Sequence, residues 1–209
     1  MTVVVLISGR GSNLAALLEA KIPVVGVISN VAGAGGLAIA ARHAVPTRVV
    51  SHRDFPSREA FDDALAKEID EIAPRLVALA GFMRVLTPGF VRRYAGRLMN
   101  IHPSLLPALP GLDTHRRALA QGVKRHGCTV HFVTEKLDHG PIVAQAAVPV
   151  RSGDTEETLA ARVLRQEHLI YPRAIRWFLE GKLVIENGLV SVRGNDAGDD
   201  AQLVDSDSS

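Results

Sequence analysis

Asn100 and His102 stand two residues apart in the run LMNIHPSLLPALPG, residues 98–111. The run begins as an apolar strand and stops at Pro103. Pro107 and Pro110 then keep the following residues out of helix and sheet alike. Residues i and i+2 of a strand point to one face. An amide and an imidazole therefore project together from a strand end, beside a stiff loop. That pair suits a carbonyl that turns tetrahedral, with the amide donating to the oxyanion and the imidazole handling a proton.

Two further stretches can join such chemistry. SGRGSN, residues 8–13, reads as a turn between a first strand and a first helix. Its glycines let backbone N–H groups approach an anion, the helix N-terminus adds a favourable dipole, and Ser12 and Asn13 add side-chain donors. A dinucleotide is a poor match. The third glycine of G-x-G-x-x-G would fall at Leu14, and the second strand ends in Ser29 and Asn30 rather than an acid. No Gly-Lys-Ser/Thr is present either, so the loop is expected to hold a monophosphate. The second stretch is LDHGP, which contains Asp138. Two readings stay open there: a turn residue, or a carboxylate that orients an imidazole and favours its charged form. His126, His131 and His139 lack the helical i, i+4 spacing of a metal motif, so no metal is expected.

The elements that must position these residues follow from pattern. Mostly apolar strands are expected at 3–7, 24–29, 47–50, 76–80 and 98–102. Helices are expected at 14–20, 37–44, 57–72, after Thr87-Pro88 up to Gly96, and at 114–121 with Asp113 or Thr114 as cap. Strands at 128–133 and 142–150 without an intervening helix imply an antiparallel extension. Asp154, with Glu157 in a capping box, is expected to open a long helix that Pro172 kinks or divides. Asn187-Gly188 predicts a two-residue hairpin within 183–192. The fold class is α/β: a Rossmann-like, mostly parallel sheet with helices on both faces, an antiparallel extension and a C-terminal hairpin. Ligands of such sheets bind at the carboxyl edge, where SGRGSN, GFMRVL and the His102 loop should gather.

Composition bounds the rest. The chain has 209 residues and a net charge of +2. Five aspartates and no Lys or Arg fall in 194–209, which is expected to be an acidic disordered tail. The body, 1–193, is then mildly basic and is read as a single domain. That charge suits an anionic small molecule, while the scarcity of aromatic residues argues against nucleic acid. The basic run at 115–126 reads as a solvated helix face. Cys128 is the only cysteine, which excludes an intramolecular disulfide, and it reads as buried. No signal pattern and no membrane-length apolar run is present, and a cytoplasmic location is expected.

SGRGSN, AGFMRVL, NIHPSLLP, LDHGP and RQEHLIYP, in that order, resemble the folate-dependent formyltransferase family, specifically its phosphoribosylglycinamide formyltransferase members. The resemblance runs from 3 to 192. It implies formyl transfer from 10-formyltetrahydrofolate to the amine of 5-phosphoribosylglycinamide in purine biosynthesis. It implies Asn100, His102 and Asp138 as the catalytic trio. The substrate would meet Gly11, Ser12 and Asn13 through its phosphate, and Arg165, Gln166 and Glu167, with Glu167 on its ribose. The folate would meet Arg58, the loop Met83, Arg84, Val85 and Leu86, and the loop Thr134, Glu135, Lys136 and Leu137. His139 is given no role. Glycinamide ribonucleotide and folate are the partners implied, with no nucleic acid, membrane or metal; a homodimer is compatible. Methionyl-tRNA formyltransferases carry a further RNA-binding domain and deformylases an N-terminal regulatory one. Neither is expected here. A non-catalytic phosphometabolite binder would keep SGRGSN without needing the trio.

Overall fold

The computed structural model describes residues 1–194, so the expected tail from 195 onward lies outside the described residues. The chain divides into two compact units. The first is Met1–Asn100 with Phe132–Glu135, and the second is Ile101–His131 with the described residues from Lys136 onward.

The first unit alternates strand and helix: β1 (Val3–Ile7), α1 (Ser12–Glu19), β2 (Val24–Ser29), α2 (Gly35–Arg42), β3 (Thr47–Val49), α3 (Arg58–Ile72), β4 (Leu76–Leu79), α4 (Pro88–Arg93) and β5 (Leu98–His102), which runs on into the second unit. A 3₁₀ turn spans His52–Asp54, where the sequence pattern predicts no element. β1 is buried at every position and pairs in parallel with β2 on one side and β4 on the other. The strand order therefore reverses at β1 and β4, and the loops leaving their carboxyl ends are SGRGSN and GFMRVL. Among the described residues β3 pairs with β2 alone and is largely exposed, as an edge strand is.

α3 forms because Phe61, Leu65, Ala66 and Ile69 recur at helical spacing and are buried. Ser57 caps it by accepting the Ala60 N–H. Asp62 breaks the apolar stripe, yet it is buried. Its carboxylate accepts the Thr87 N–H at 2.6 Å, while the Thr87 hydroxyl caps α4. One carboxylate thus ties two helices at the end of the 81–86 loop. The Tyr94 hydroxyl donates to Asp70 at 2.8 Å, with the Ala66 carbonyl 3.1 Å away. Burial, then the Asp70 hydrogen bond, pushes the phenol up.

The second unit carries α5 (Thr114–Ala120), β6 (Arg125–Phe132), β7 (Ile142–Pro149), α6 (Glu156–Leu179) and the hairpin β8 (Leu183–Glu186) to β9 (Leu189–Val192). The sheet has seven strands in the order β3-β2-β1-β4-β5-β6-β7, with β6 and β7 antiparallel and β8-β9 separate. Asn187 and Gly188 both take positive φ, as a two-residue hairpin turn requires.

At α6 one expectation is corrected and another narrowed. The helix is capped by Thr155, whose hydroxyl accepts the Thr158 N–H while the Thr158 hydroxyl takes the Thr155 N–H. Asp154 does something else: its carboxylate receives both Nη atoms of buried Arg162 at 2.8 Å each, and the Arg151 N–H at 2.7 Å. The Arg162 hydrogen bonds, followed by the Arg151 N–H, hold it far below the usual carboxylate range. Pro172 does not divide the helix, which runs through it and buries it. Among the described residues no helix is long and apolar enough to cross a membrane.

Asp62→Ala should strand the buried Thr87 N–H and lower the unfolding free energy by about 1–3 kcal/mol. Urea titration of the variant beside the wild type measures it; an unchanged midpoint would remove Asp62 from the architecture.

Candidate functional site

In the first unit, the turn after β1 is shaped by contact rather than by composition alone. Gly11 has φ +81°, and a Cβ there would lie 2.5 Å from the Cα of Gly36. The backbone seals this approach, since the Gly36 N–H donates to the Gly9 carbonyl at 3.0 Å. Gly11 is therefore required by α2 as well as by any anion. Ser12 and Asn13 open α1, where N–H groups of a first turn face outward.

Ser8 joins this turn to the loop after β4. Its N–H donates to the Gly81 carbonyl at 3.2 Å and its hydroxyl accepts the Met83 N–H at 2.7 Å. The same hydroxyl donates to Oδ1 of buried Asn30 at 2.6 Å. Within the loop, Phe82 and Leu86 pack on the core while Met83 and Val85 are exposed. Arg58 donates to the Val85 carbonyl at 2.6 Å, so its guanidinium braces the loop. Glu135 pairs with Arg92 at 2.9 Å.

In the second unit, β5 ends at His102, which is buried. Its Nδ1 lies 3.6 Å from Oδ2 of Asp138, and its Nε2 lies 3.1 Å from the Leu109 carbonyl. Both ring nitrogens face acceptor oxygens. Asp138 is buried too, at φ +53°, and its Oδ2 accepts the Gly111 N–H at 2.8 Å. Asp138 is a turn residue whose carboxylate also faces an imidazole, so the two readings are compatible. Asn100 precedes His102 by two on β5, which gives the pair a common face.

Some participants were missed or undervalued. His131 Nε2 lies 3.8 Å from Asp138 Oδ1, so the carboxylate stands between two imidazoles. The carbonyl of Leu109 and the N–H of Gly111 are backbone groups without any residue-type signal. Arg117, read as part of a solvated basic face, spends Nη1 on the Pro110 carbonyl at 2.6 Å and holds the same loop. Glu167 is buried on α6, while Arg165 beside it is exposed and Gln166 half-buried. Cys128 is buried as expected; burial, then the Glu167 carboxylate, pushes its thiol up. His139 is exposed, and its Nδ1 lies 2.7 Å from the Leu137 carbonyl. Lys136 and Leu137 are also exposed, and Thr134 is half-buried. Among the described residues no group of three or more His, Cys, Asp or Glu could hold a metal ion.

A second imidazole pair lies at α5 and β6, where His115 Nδ1 meets His126 Nε2 at 3.2 Å with the rings edge to face. Burial lowers both, with nearby His102 adding to the effect, and His126 falls to about 4. Burial thus disfavours the charged form of both rings, which pack edge to face.

The family model for formyl transferases matches residues 1–175. The chain is 54% identical over 189 residues to a phosphoribosylglycinamide formyltransferase of Escherichia coli (strain K12), covering 88% of this chain and 89% of that protein. It is 49% identical over 189 residues to a trifunctional purine biosynthetic protein adenosine-3 of Drosophila pseudoobscura pseudoobscura, covering 87% of this chain and 14% of that one. Among solved structures, a phosphoribosylglycinamide formyltransferase from Coxiella burnetii superimposes with a TM-score of 0.89 at 48% identity, covering 93% and 94% of the two chains.

The unfolded chain protonates a histidine near about 6.5, whereas folded His126 resists to about 4. Its contribution to stability is therefore full above the unfolded value and is lost as pH falls through that window, with a slope of up to about 1.4 kcal/mol per pH unit. Urea melts of the wild type and His126→Gln between those limits should show a shallower slope in the variant. Parallel slopes would mean that the ring takes up its proton within the fold.

Proposed function

This chain belongs to the formyl transferase family, and from that premise we propose that it transfers a formyl group from 10-formyltetrahydrofolate to the amine of 5-phosphoribosylglycinamide, as a cytoplasmic enzyme of purine biosynthesis in which 1–193 act as one catalytic domain. The observation that carries the residue assignment is the buried pair of His102 and Asp138, 3.6 Å apart at the end of a strand that also bears Asn100.

The neutral amine of the substrate attacks the formyl carbon, and a C–N bond forms as the carbonyl π electrons move to oxygen. Asn100 donates to that oxyanion, and the charge of protonated His102 stabilises it through space, since Nδ1 faces Asp138 and Nε2 the Leu109 carbonyl. Asp138 presents its negative charge to Nδ1 and so orients the ring. The bond from carbon to the folate nitrogen then breaks. One proton passes from the amine to that nitrogen, which leaves as tetrahydrofolate.

Binding is assigned to the flanking loops. Backbone N–H groups at Gly11, Ser12 and Asn13 open α1 and would receive the substrate phosphate. Glu167 on α6, with Arg165 and Gln166, would meet the rest of that substrate. The folate falls to the loop of Met83, Arg84, Val85 and Leu86, whose exposed Met83 and Val85 offer apolar surface to a pterin and whose shape Arg58 maintains. Thr134, Glu135, Lys136 and Leu137 form its second loop, with Leu137 exposed.

The test is release of tetrahydrofolate with and without glycinamide ribonucleotide. Transfer requires the amine, so release in its absence at an equal rate would identify a hydrolase, and no release in either case a binder. Asn100→Ala should lower kcat by about 10²–10³ with the fold intact, the scale of one lost oxyanion donor. A kcat near that of the wild type would remove Asn100 from the oxyanion role.

A further inference from the structure

His102 is held on one side by the Leu109 carbonyl, and the loop that presents this carbonyl is itself anchored elsewhere. Thr129 on β6 is fully buried. Its hydroxyl donates to the Ser104 carbonyl at 2.6 Å and accepts the Leu106 N–H at 3.0 Å and Nε2 of Gln145 at 2.9 Å. One donor and two acceptor positions are all a hydroxyl has, so it is saturated. Gln145, its partner across the β6–β7 ladder, gives the second hydrogen of Nε2 to the Leu106 carbonyl at 2.8 Å. Three backbone atoms of 104–106 are thus fixed by two side chains.

Packing reinforces the anchor. Gly127, two residues before Thr129 and on the same face of β6, leaves space that Leu105 fills. A Cβ there would collide with the Ala146 carbonyl and lie 2.8 Å from Leu105 Cδ2. From the anchor the chain continues through two short links, Ser104 Oγ to the Ala108 carbonyl at 2.7 Å and the Ala108 N–H to the Leu105 carbonyl at 3.0 Å. Leu109 follows at φ +55°, a conformation a leucine keeps only when its surroundings impose it. Two residues on, Gly111 gives its N–H to Asp138. The one loop therefore orients both members of the His102–Asp138 pair.

We infer that Thr129 and Gln145 are positioning residues for the formyl-transfer step, acting on His102 through the 103–111 loop; the inference rests on the role of His102 proposed above. Neither touches a reacting atom. Their loss frees the Leu109 carbonyl, and with it the ring angle that aims the imidazole. Small displacements of that kind cost rate rather than affinity.

Thr129→Val removes the hydroxyl at constant shape, and Thr129→Ser keeps it. Steady-state formyl transfer should show kcat in Thr129→Val lower by about tenfold to a hundredfold, with KM for both substrates within about twofold of the wild type. Thr129→Ser should regain most of that loss. In ¹⁵N-histidine NMR spectra, the His102 Nε2–H, assigned by its absence from His102→Asn, should lose its protection from solvent exchange in Thr129→Val. A normal kcat in folded Thr129→Val, or equal losses in the Val and Ser variants, overturns the inference. His102→Asn is run in the same assay. Full activity there overturns the role of His102 itself, whereas a disabled His102→Asn beside a normal Thr129→Val overturns only the positioning role. Should Thr129→Val fail to fold, Gln145→Met decides by the same kcat criterion, since it removes the other half of the anchor from a half-buried site.

Discussion

A buried carboxylate must be met on every side, and Asp138 sets that requirement for the second unit. Oδ2 takes the Gly111 N–H and faces His102, and Oδ1 faces His131. Each partner brings its own demand. Gly111 belongs to the proline-limited loop, so that loop must close at one distance from Asp138. His102 must turn Nδ1 toward the carboxylate, which leaves Nε2 facing the Leu109 carbonyl of the same loop. The loop, the ring and the acid therefore form one closed figure, and displacing any member leaves a buried polar atom unsatisfied.

The first unit is arranged around close backbone approach. β1 is wholly buried between two parallel neighbours, which leaves its carboxyl end as the place where chain direction and ligand access coincide. Gly11 and Gly36 let α1 and α2 start almost in contact, and Ser8 carries that geometry across to the loop after β4. The polar links Met83–Ser8–Asn30 and Arg58–Val85 do for a loop what ladder hydrogen bonds do for a strand. A loop braced at both ends can hold apolar side chains outward, as it does with Met83 and Val85, because its shape does not depend on burying them.

Titratable groups divide by environment. Tyr94, Cys128 and His126 are pushed toward their neutral forms chiefly by burial, and each sits where it packs. Asp154 goes the other way, because Arg162 and a backbone N–H satisfy the charge directly. Burial alone thus does not mark a reactive group. What distinguishes His102 is that both nitrogens face acceptors while an amide stands two residues away on the same strand.

Much of this was legible from residue order. Apolar runs and their breaks located every strand of the sheet to within a few residues, because strand and helix periodicity are local. Asn187-Gly188 marked its hairpin because only a few residue types accept positive φ in succession. Asn100 and His102 were readable as a pair because spacing two on a strand means one face. Tertiary structure alone decided the partners. Sequence left Asp138 open between a turn and an acid, since 36 positions of chain separate it from His102 and nothing local brings them together. It assigned the cap of α6 to Asp154, which Arg162 claims in space, leaving Thr155 to cap. It read Arg117 as solvated, although a loop carbonyl takes its donor, and it passed over Thr129 as one more strand residue. A hydroxyl's partners are chosen by the segments that pack against it, and those segments come from distant parts of the chain.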